Sequence, residues 1–388
     1  MHIIIIIFLY EIIYLNLVSL KLINTNLTKL SLDELLHRAK KFSFHKSVCM
    51  DDGSSKLAVA NSKYGLAKIH YAQQSLGFEP NACFIATPDQ TITRNDYRWN
   101  FGSTYGGKYV WGKGNDKIIF PDLKPNSCGI IVGALNELPN EKEIIERVIG
   151  LRNDETYLND IKIKWDFEKS NHFIDIYEKK LVTPNKEMEE ENSVQFNNAQ
   201  NKIENYKYFF MIHCSAPEMK KVSPGMYIDD SKELQNMCEV ISTPFGDCNV
   251  LLDDSAVKYY DFCKKANDFS QQRRVLAGEK IFGDFEVISN ANHQGMLNDM
   301  NSILLGAQST KDFPLLPIVL KADAIAYLAM GLPNFSEEQI EENGWSKRAE
   351  HRELSSTILN SNIMPHGGGY ALEDILSVNK VLSIDNIK

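Results

Sequence analysis

The sequence predicts an α+β fold, and three observations carry that expectation. Short apolar runs broken by Gly, Asn, Asp and Pro fill Ser47 to about Leu151, a long helical pattern stands apart from them, and no βαβ rhythm or phosphate fingerprint appears. No internal repeat is visible. With 388 residues, 43% apolar and 24% charged, the chain can build a large core in one complex domain or two closely packed ones. The net charge of -9 argues against a protein that coats nucleic acid through bulk charge, while leaving room for a local basic groove.

The elements follow in order. Met1 to about Ile23 is strongly apolar, but Glu11 and Asn16 interrupt it and no basic leader or cleavage site is evident. It can be read as an extension or tail, a membrane anchor or a secretory signal. We set residues 1–30 apart as an uncertain apolar N-terminal extension and do not expect membrane association. Ser31 then caps a helix (SLDELLHRAKKF) with Asp33 and Glu34 in its first turn. KLAVANSKYGLAKI, NACFIATPD, GGKYVWGKG and SCGIIVGAL read as short strands and turns. Asn140 to Gly150 has helical spacing with Gly as its stop. Ile161 to Glu178 reads as two strands flanking NHF. Residues 179–207 form a polar insertion, read as a solvated face. A strand (YFFMIH), a loop with Pro217 and Pro224, and mixed helices follow. Ser255 to about Ala277 is the most convincing helix, with Tyr259, Phe262, Cys263, Ala266 and Phe269 on one face. Phe282 to Ser289 reads as a strand, Asn301 to Phe313 as loop-rich, and Leu315 to Met330 as an apolar segment.

Seven cysteines are scattered singly, with no C-x-x-C pair, which points to reduced thiols and a cytoplasmic setting. Of nine histidines, four stand where chemistry can be built: His172, His213 and His293 at the ends of strand-like runs, and His366 in the turn PHGGGY. Cys128 stands at the mouth of an apolar strand. Imidazoles at strand ends can converge over one edge of a sheet, and a thiolate with several imidazoles suits a borderline divalent ion such as Zn²⁺ or Mn²⁺. Spacing alone does not establish such a site, because a lone His beside an apolar run is more often a hydrogen-bonded structural residue. Gly367, Gly368 and Gly369 are an ordinary flexible turn on one reading. On the other, they let backbone N–H groups approach a phosphate.

The local contexts sharpen this. PNSCGII resembles the D-I-x-C-G segment of the RtcB RNA ligases, SNHFIDI their G-N-H-F-[IL]-E and MIHCSAPEM their I-H-[ST]-G-S-R-G. LLDDSAVKYYDFCKKANDFSQQRR is similar to their helix ending A-N-Y-A-x-x-N-R, and EVISNANHQGM to D-V-S-H-N. GAQSTKDFP resembles H-R-K-G-A-T-R-A-F-P, and MPHGGGY resembles C-H-G-A-G-R. All seven lie in the family's order between Pro125 and Tyr370.

The resemblance implies an RtcB-like mixed fold over 31–388 with a dispersed Cys/His metal site, using Mn²⁺ (or Zn²⁺ or another divalent ion) and GTP. The implied activity joins RNA 3′-phosphate or 2′,3′-cyclic phosphate ends to 5′-hydroxyl ends. By position, Cys128 matches a thiolate bridging two metals, His172 a ligand of one metal, and His213 and His293 ligands of the other. Asn171 matches the asparagine beside the nucleotide phosphate, and His366 the nucleophile that takes GMP.

Departures are equally plain. Pro125 stands where the family has a metal-binding aspartate, with Asn126 or Asp122 as substitutes. Asp175 replaces a glutamate, and Glu218 stands in the segment that loses its arginine. Leu304 and Leu305 stand near a basic run, Leu320-Lys321-Ala322-Asp323 replaces a glycine loop, and Tyr370 replaces an arginine. Lys380 and Lys388 are the remaining candidates for a guanylate contact. Phosphate-binding cations have thus gone while metal ligands persist. That pattern leaves open an altered substrate, a metal-dependent phosphoesterase acting on a small phosphate ester, or a non-catalytic metal-binding paralogue.

Overall fold

A computed structural model describes residues 26–45, 53–93, 95–167, 172–180, 193–297, 299–311, 315–320, 324–331 and 334–368. Most of the N-terminal extension, Asn171, Gly369, Tyr370, Lys380 and Lys388 lie outside them. The fold is mixed α/β. Among the described residues, no helix is long and apolar enough to cross a membrane.

The organising element is a four-stranded antiparallel sheet in the order Glu286–Asn292, Gly129–Leu135, Tyr208–Cys214, Phe173–Glu178. Alternation along its strands sorts side chains to two faces. Ile131, Leu135, Phe210 and Ile212 meet Ala277, Ile281 and Phe282 of the 30-residue helix Asp253–Phe282. Ile130, Val132, Phe209 and Met211 face the other way, toward Leu315 and Val319. His213 shares the parity of Met211, so it sits on the face away from the long helix. Cys214 shares the helix face with Arg273 and Arg274, which reach its environment and its carbonyl.

A five-stranded sheet carries the second half of the site, in the order Ser43–Phe44, Cys83–Thr91, Tyr105–Val110, Ser302–Leu305, Gln294–Gly295. Its outermost pairing at Ser43–Phe44 is parallel and the rest antiparallel. The largest core cluster lies between this sheet, the helix Gly53–Ser75 and the N-terminal half of the long helix.

Several elements match expectation. Ser31 caps Leu32–Lys40 in a reciprocal capping box with Glu34. Asn140 caps Glu141–Gly150. Tyr259, Phe262, Cys263, Ala266 and Phe269 of the long helix are all buried.

Others differ. KLAVANSKYGLAKI, expected as strand and turn, lies inside the 23-residue helix Gly53–Ser75. Its helical period is masked because Asn61, Ser62, Lys68, His70 and Gln73 are buried beside Leu66 and Ile69, so polarity does not mark an outer face. Phe282 closes the long helix, Gly283 follows at φ 77°, and the strand begins only at Glu286. The helices expected before Ser255 reduce to Lys232–Met237, and Glu239–Thr243 pairs with Gly246–Leu252 as a hairpin. The passage expected to be loop-rich holds strands Ser302–Leu305 and Ala307–Ser309. Leu316–Ile318 and Tyr327–Ala329 pair as a hairpin.

Candidate metal centre

One end of the four-stranded sheet gathers the chemistry. Cys128 immediately precedes the strand that starts at Gly129, and His293 follows the strand that ends at Asn292. The His293 N–H donates to the Cys128 carbonyl at 2.9 Å, continuing the ladder past Asn292 and Gly129. His213 pairs in register with Ile130 on the other side. Antiparallel pairing therefore brings a residue before one strand, one after a second and one near the end of a third to a single edge. Potential donor atoms of Cys128, His213 and His293 all lie within 4.8 Å of one another, and all three residues are buried.

Local backbone fixes the thiol. Ser127 holds φ 55°, its hydroxyl donates to Asn267 Oδ1 at 2.7 Å, and its carbonyl accepts from Ser270. Two side chains of the long helix thus clamp the turn before Cys128. The Cys128 N–H donates to Asn126 Oδ1 at 3.0 Å.

The donor set fits a borderline divalent ion: one sulfur and two imidazoles. His293 Nδ1 is fully buried with no hydrogen-bond partner among the described residues. Burial, together with the neighbouring His366 and His213, holds the His293 ring well below the ordinary histidine pKa, leaving it in the neutral form that ligates. Burial pushes the Cys128 thiol up to about 12, with Cys214 adding to the rise and Arg98 and Arg274 opposing it. A cation held here would have to displace that thiol proton.

His172 does not join this set. Its ring lies 5.5 Å from His213 and perpendicular to it. Its two nitrogens are engaged elsewhere: Nδ1–H donates to Asp166 Oδ1 at 2.9 Å, and Nε2 accepts from the Ser215 N–H at 3.1 Å. Asp166 is in turn held by Arg273, which is fully buried and also reaches Glu218 and the carbonyls of Ser215 and Lys164. Glu218, the acid in the altered segment, thus belongs to an internal ion network. Asp122 does not replace the missing aspartate either: Tyr97 and Asn249 occupy both its oxygens.

His366 completes a row of rings, its centroid 4.7 Å from that of His293. It follows the short strand Ile363–Pro365, which pairs with Ala307–Ser309, and its carbonyl accepts from Val319 N. Asp89, a residue the sequence did not single out, controls it. Asp89 Oδ2 accepts from His366 N (3.1 Å), His366 Nδ1 (2.9 Å) and Gly367 N (2.8 Å), while Oδ1 accepts from Thr87 (2.5 Å). Burial alone would raise the Asp89 carboxyl, but these donors hold it below its ordinary value.

With Nδ1–H committed to Asp89, the neutral ring carries its lone pair on Nε2. The glycines divide the work around it. Gly367 sits at φ 94°, where a Cβ would meet the Val319 backbone at 2.6 Å, and its N–H belongs to Asp89 rather than to a phosphate. A Cβ on Gly368 would lie 3.0 Å from His366 Nε2, so glycine there keeps that nitrogen approachable.

No known protein-family model matches this chain, nor does any curated protein sequence.

Proposed function

We propose that this chain is an RtcB-like, metal-dependent nucleotidyl transferase acting on RNA ends. Cys128, His213 and His293 would hold one divalent ion, and His366 would be the nucleophile toward GTP as co-substrate. The observation that carries this reading is the Asp89–His366 pair: a carboxylate fixes Nδ1–H and leaves Nε2 as the nucleophilic atom beside the metal-binding residues. When bound, the ion would act as a Lewis acid on a phosphoryl oxygen. In the proposed first step, His366 Nε2 forms a bond to the α-phosphorus and pyrophosphate leaves. GMP then passes to an RNA 3′-phosphate and frees the histidine, and attack by a 5′-hydroxyl expels GMP as the phosphodiester forms. Throughout, Asp89 keeps the imidazole in one tautomer and stabilises the charge it gains.

Incubation of Mn²⁺-loaded protein with α-labelled GTP, followed by denaturing electrophoresis, tests the first step. An acid-labile labelled band that is lost in His366→Ala, with metal content unchanged, is expected. No band in metal-loaded protein overturns the proposal. The burial of all three metal donors supports the second reading, a non-catalytic metal site that serves folding. Loss of stability on chelation, with no turnover of any phosphate ester, is its signature, whereas hydrolysis without an adduct would mark a phosphoesterase.

A further inference from the structure

Several interior tyrosines spend their hydroxyls inside the fold. Tyr97 donates to Asp122 Oδ1 at 2.5 Å, Tyr259 donates to the Met226 carbonyl at 2.9 Å, and Tyr109 accepts from Thr104 N at 3.1 Å. Tyr105, beside the metal centre, does not. Its hydroxyl makes no hydrogen bond among the described residues, and the residue is only partly covered. Its ring is nevertheless fixed. Tyr105 opens the strand Tyr105–Val110, and its ring meets that of His366 edge-on, with centroids 5.3 Å apart and an interplanar angle of 70°. Gly306 packs against the same ring: a Cβ built at that glycine would run into Tyr105 Cε1, and the Gly306 N–H donates to the His293 carbonyl at 2.9 Å.

Tyr105 is thus held between the proposed nucleophile and the backbone that follows a metal-binding residue. The charges around it place its hydroxyl at the same centre. Burial pushes the Tyr105 phenol up, Cys128 raises it further, Arg98 opposes the rise and Asp89 adds to it. The hydroxyl therefore lies within electrostatic reach of Cys128 and of the carboxylate that holds His366, and it stays protonated at neutral pH. Arg98 is buried, its Nε donating to the Leu123 and Lys124 carbonyls at 3.2 and 3.1 Å, and its charge reaches both Cys128 and Tyr105. A donor with no internal acceptor, fixed beside His366 and near a buried positive charge, is arranged for an oxygen that the protein does not itself supply.

We propose that Tyr105 is a further catalytic residue of this site, its hydroxyl donating a hydrogen bond to a non-bridging oxygen of the phosphoryl group that His366 Nε2 attacks. The inference rests on the nucleotidyl-transfer reading and adds to it a donor that touches the substrate. The hydroxyl neither gives up nor takes a proton in the step. As the bond from Nε2 to phosphorus forms and pyrophosphate leaves, the phenol stays neutral and contributes a preorganised dipole aimed at the phosphoryl oxygens. Because the ring is already wedged between His366 and Gly306, little reorganisation is needed when the substrate arrives.

The test compares wild type with Tyr105→Phe, which keeps the ring against His366 and Gly306 and removes only the hydroxyl. Mn²⁺-loaded full chain is titrated with GTP by calorimetry and, separately, labelled with α-labelled GTP. Tyr157→Phe, at an exposed tyrosine, is the control. Tyr105→Phe is expected to lower GTP affinity or labelling rate at least about tenfold, with metal content and urea midpoint unchanged, while the control matches wild type. A Tyr105→Phe protein equal to wild type in both affinity and labelling overturns the assignment and leaves the nucleotidyl-transfer reading standing. Loss of metal or a lower urea midpoint in Tyr105→Phe also overturns it, by showing a structural role. Weakened GTP binding in a protein that never labels supports the contact with phosphate and overturns nucleotidyl transfer. Neither binding nor labelling in metal-loaded wild type overturns both.

Discussion

Replacing Asp89 by alanine should separate the role of the carboxylate from that of the imidazole it holds. Its Oδ2 accepts three N–H groups, from His366 N, His366 Nδ1 and Gly367 N, in a corner where the Asp89 side chain is 12% exposed. Each buried donor left without an acceptor costs about 1–3 kcal/mol, and relaxation of the turn recovers part of the sum. We therefore expect Asp89→Ala to lose about 3–5 kcal/mol, the cost of the three orphaned donors less what the turn recovers. Asp89→Asn keeps an acceptor oxygen and should lose about half as much.

The pH dependence has a defined sign. Asp89 is held below its ordinary value of 3.8, so its contribution is fully present above the unfolded pKa and is lost as pH falls through the folded one. Urea denaturation at pH 7 and at about pH 3 should show the gap between wild type and Asp89→Ala closing in acid. In the labelling assay the variant should retain metal but lose most of the adduct, because the ring is no longer held in one tautomer. A variant within about 1 kcal/mol of wild type at pH 7, or one that labels normally, would refute this account of the pair.

Further outcomes follow from the same geometry. Elemental analysis should find one ion per chain, reduced in Cys128→Ser and His293→Ala but not in His172→Gln; two ions would restore His172 to a ligand role. Gly368→Ala should fold normally yet label poorly, since its Cβ would lie 3.0 Å from His366 Nε2. Arg273→Met should cost about 3–5 kcal/mol in chemical denaturation by leaving Asp166 and Glu218 without their buried cation. A loss below about 1 kcal/mol would show that those carboxylates find other partners.

What the sequence determined by itself was local. Short apolar runs in SCGIIVGAL and YFFMIH identified the central strands, Ser31 announced a helix start through a side chain that caps its own backbone, and helical spacing marked Asn140 to Gly150. The stripe from Tyr259 to Phe269 marked the long helix. Cys128, His213 and His293 were legible as polar residues at the ends of such runs.

What only the tertiary structure decided depends on contacts between distant segments. The helix Gly53–Ser75 hid its period because buried polar residues interrupt it. His172 looked equivalent to the other histidines until Asp166 and Ser215 were seen to occupy both its nitrogens. Asp89 gave no sign of its role, because it meets His366 across 277 positions of chain. Local propensity and alternation are written into neighbouring residues, whereas which nitrogen is left to react is set by partners that only the folded chain brings within hydrogen-bonding distance.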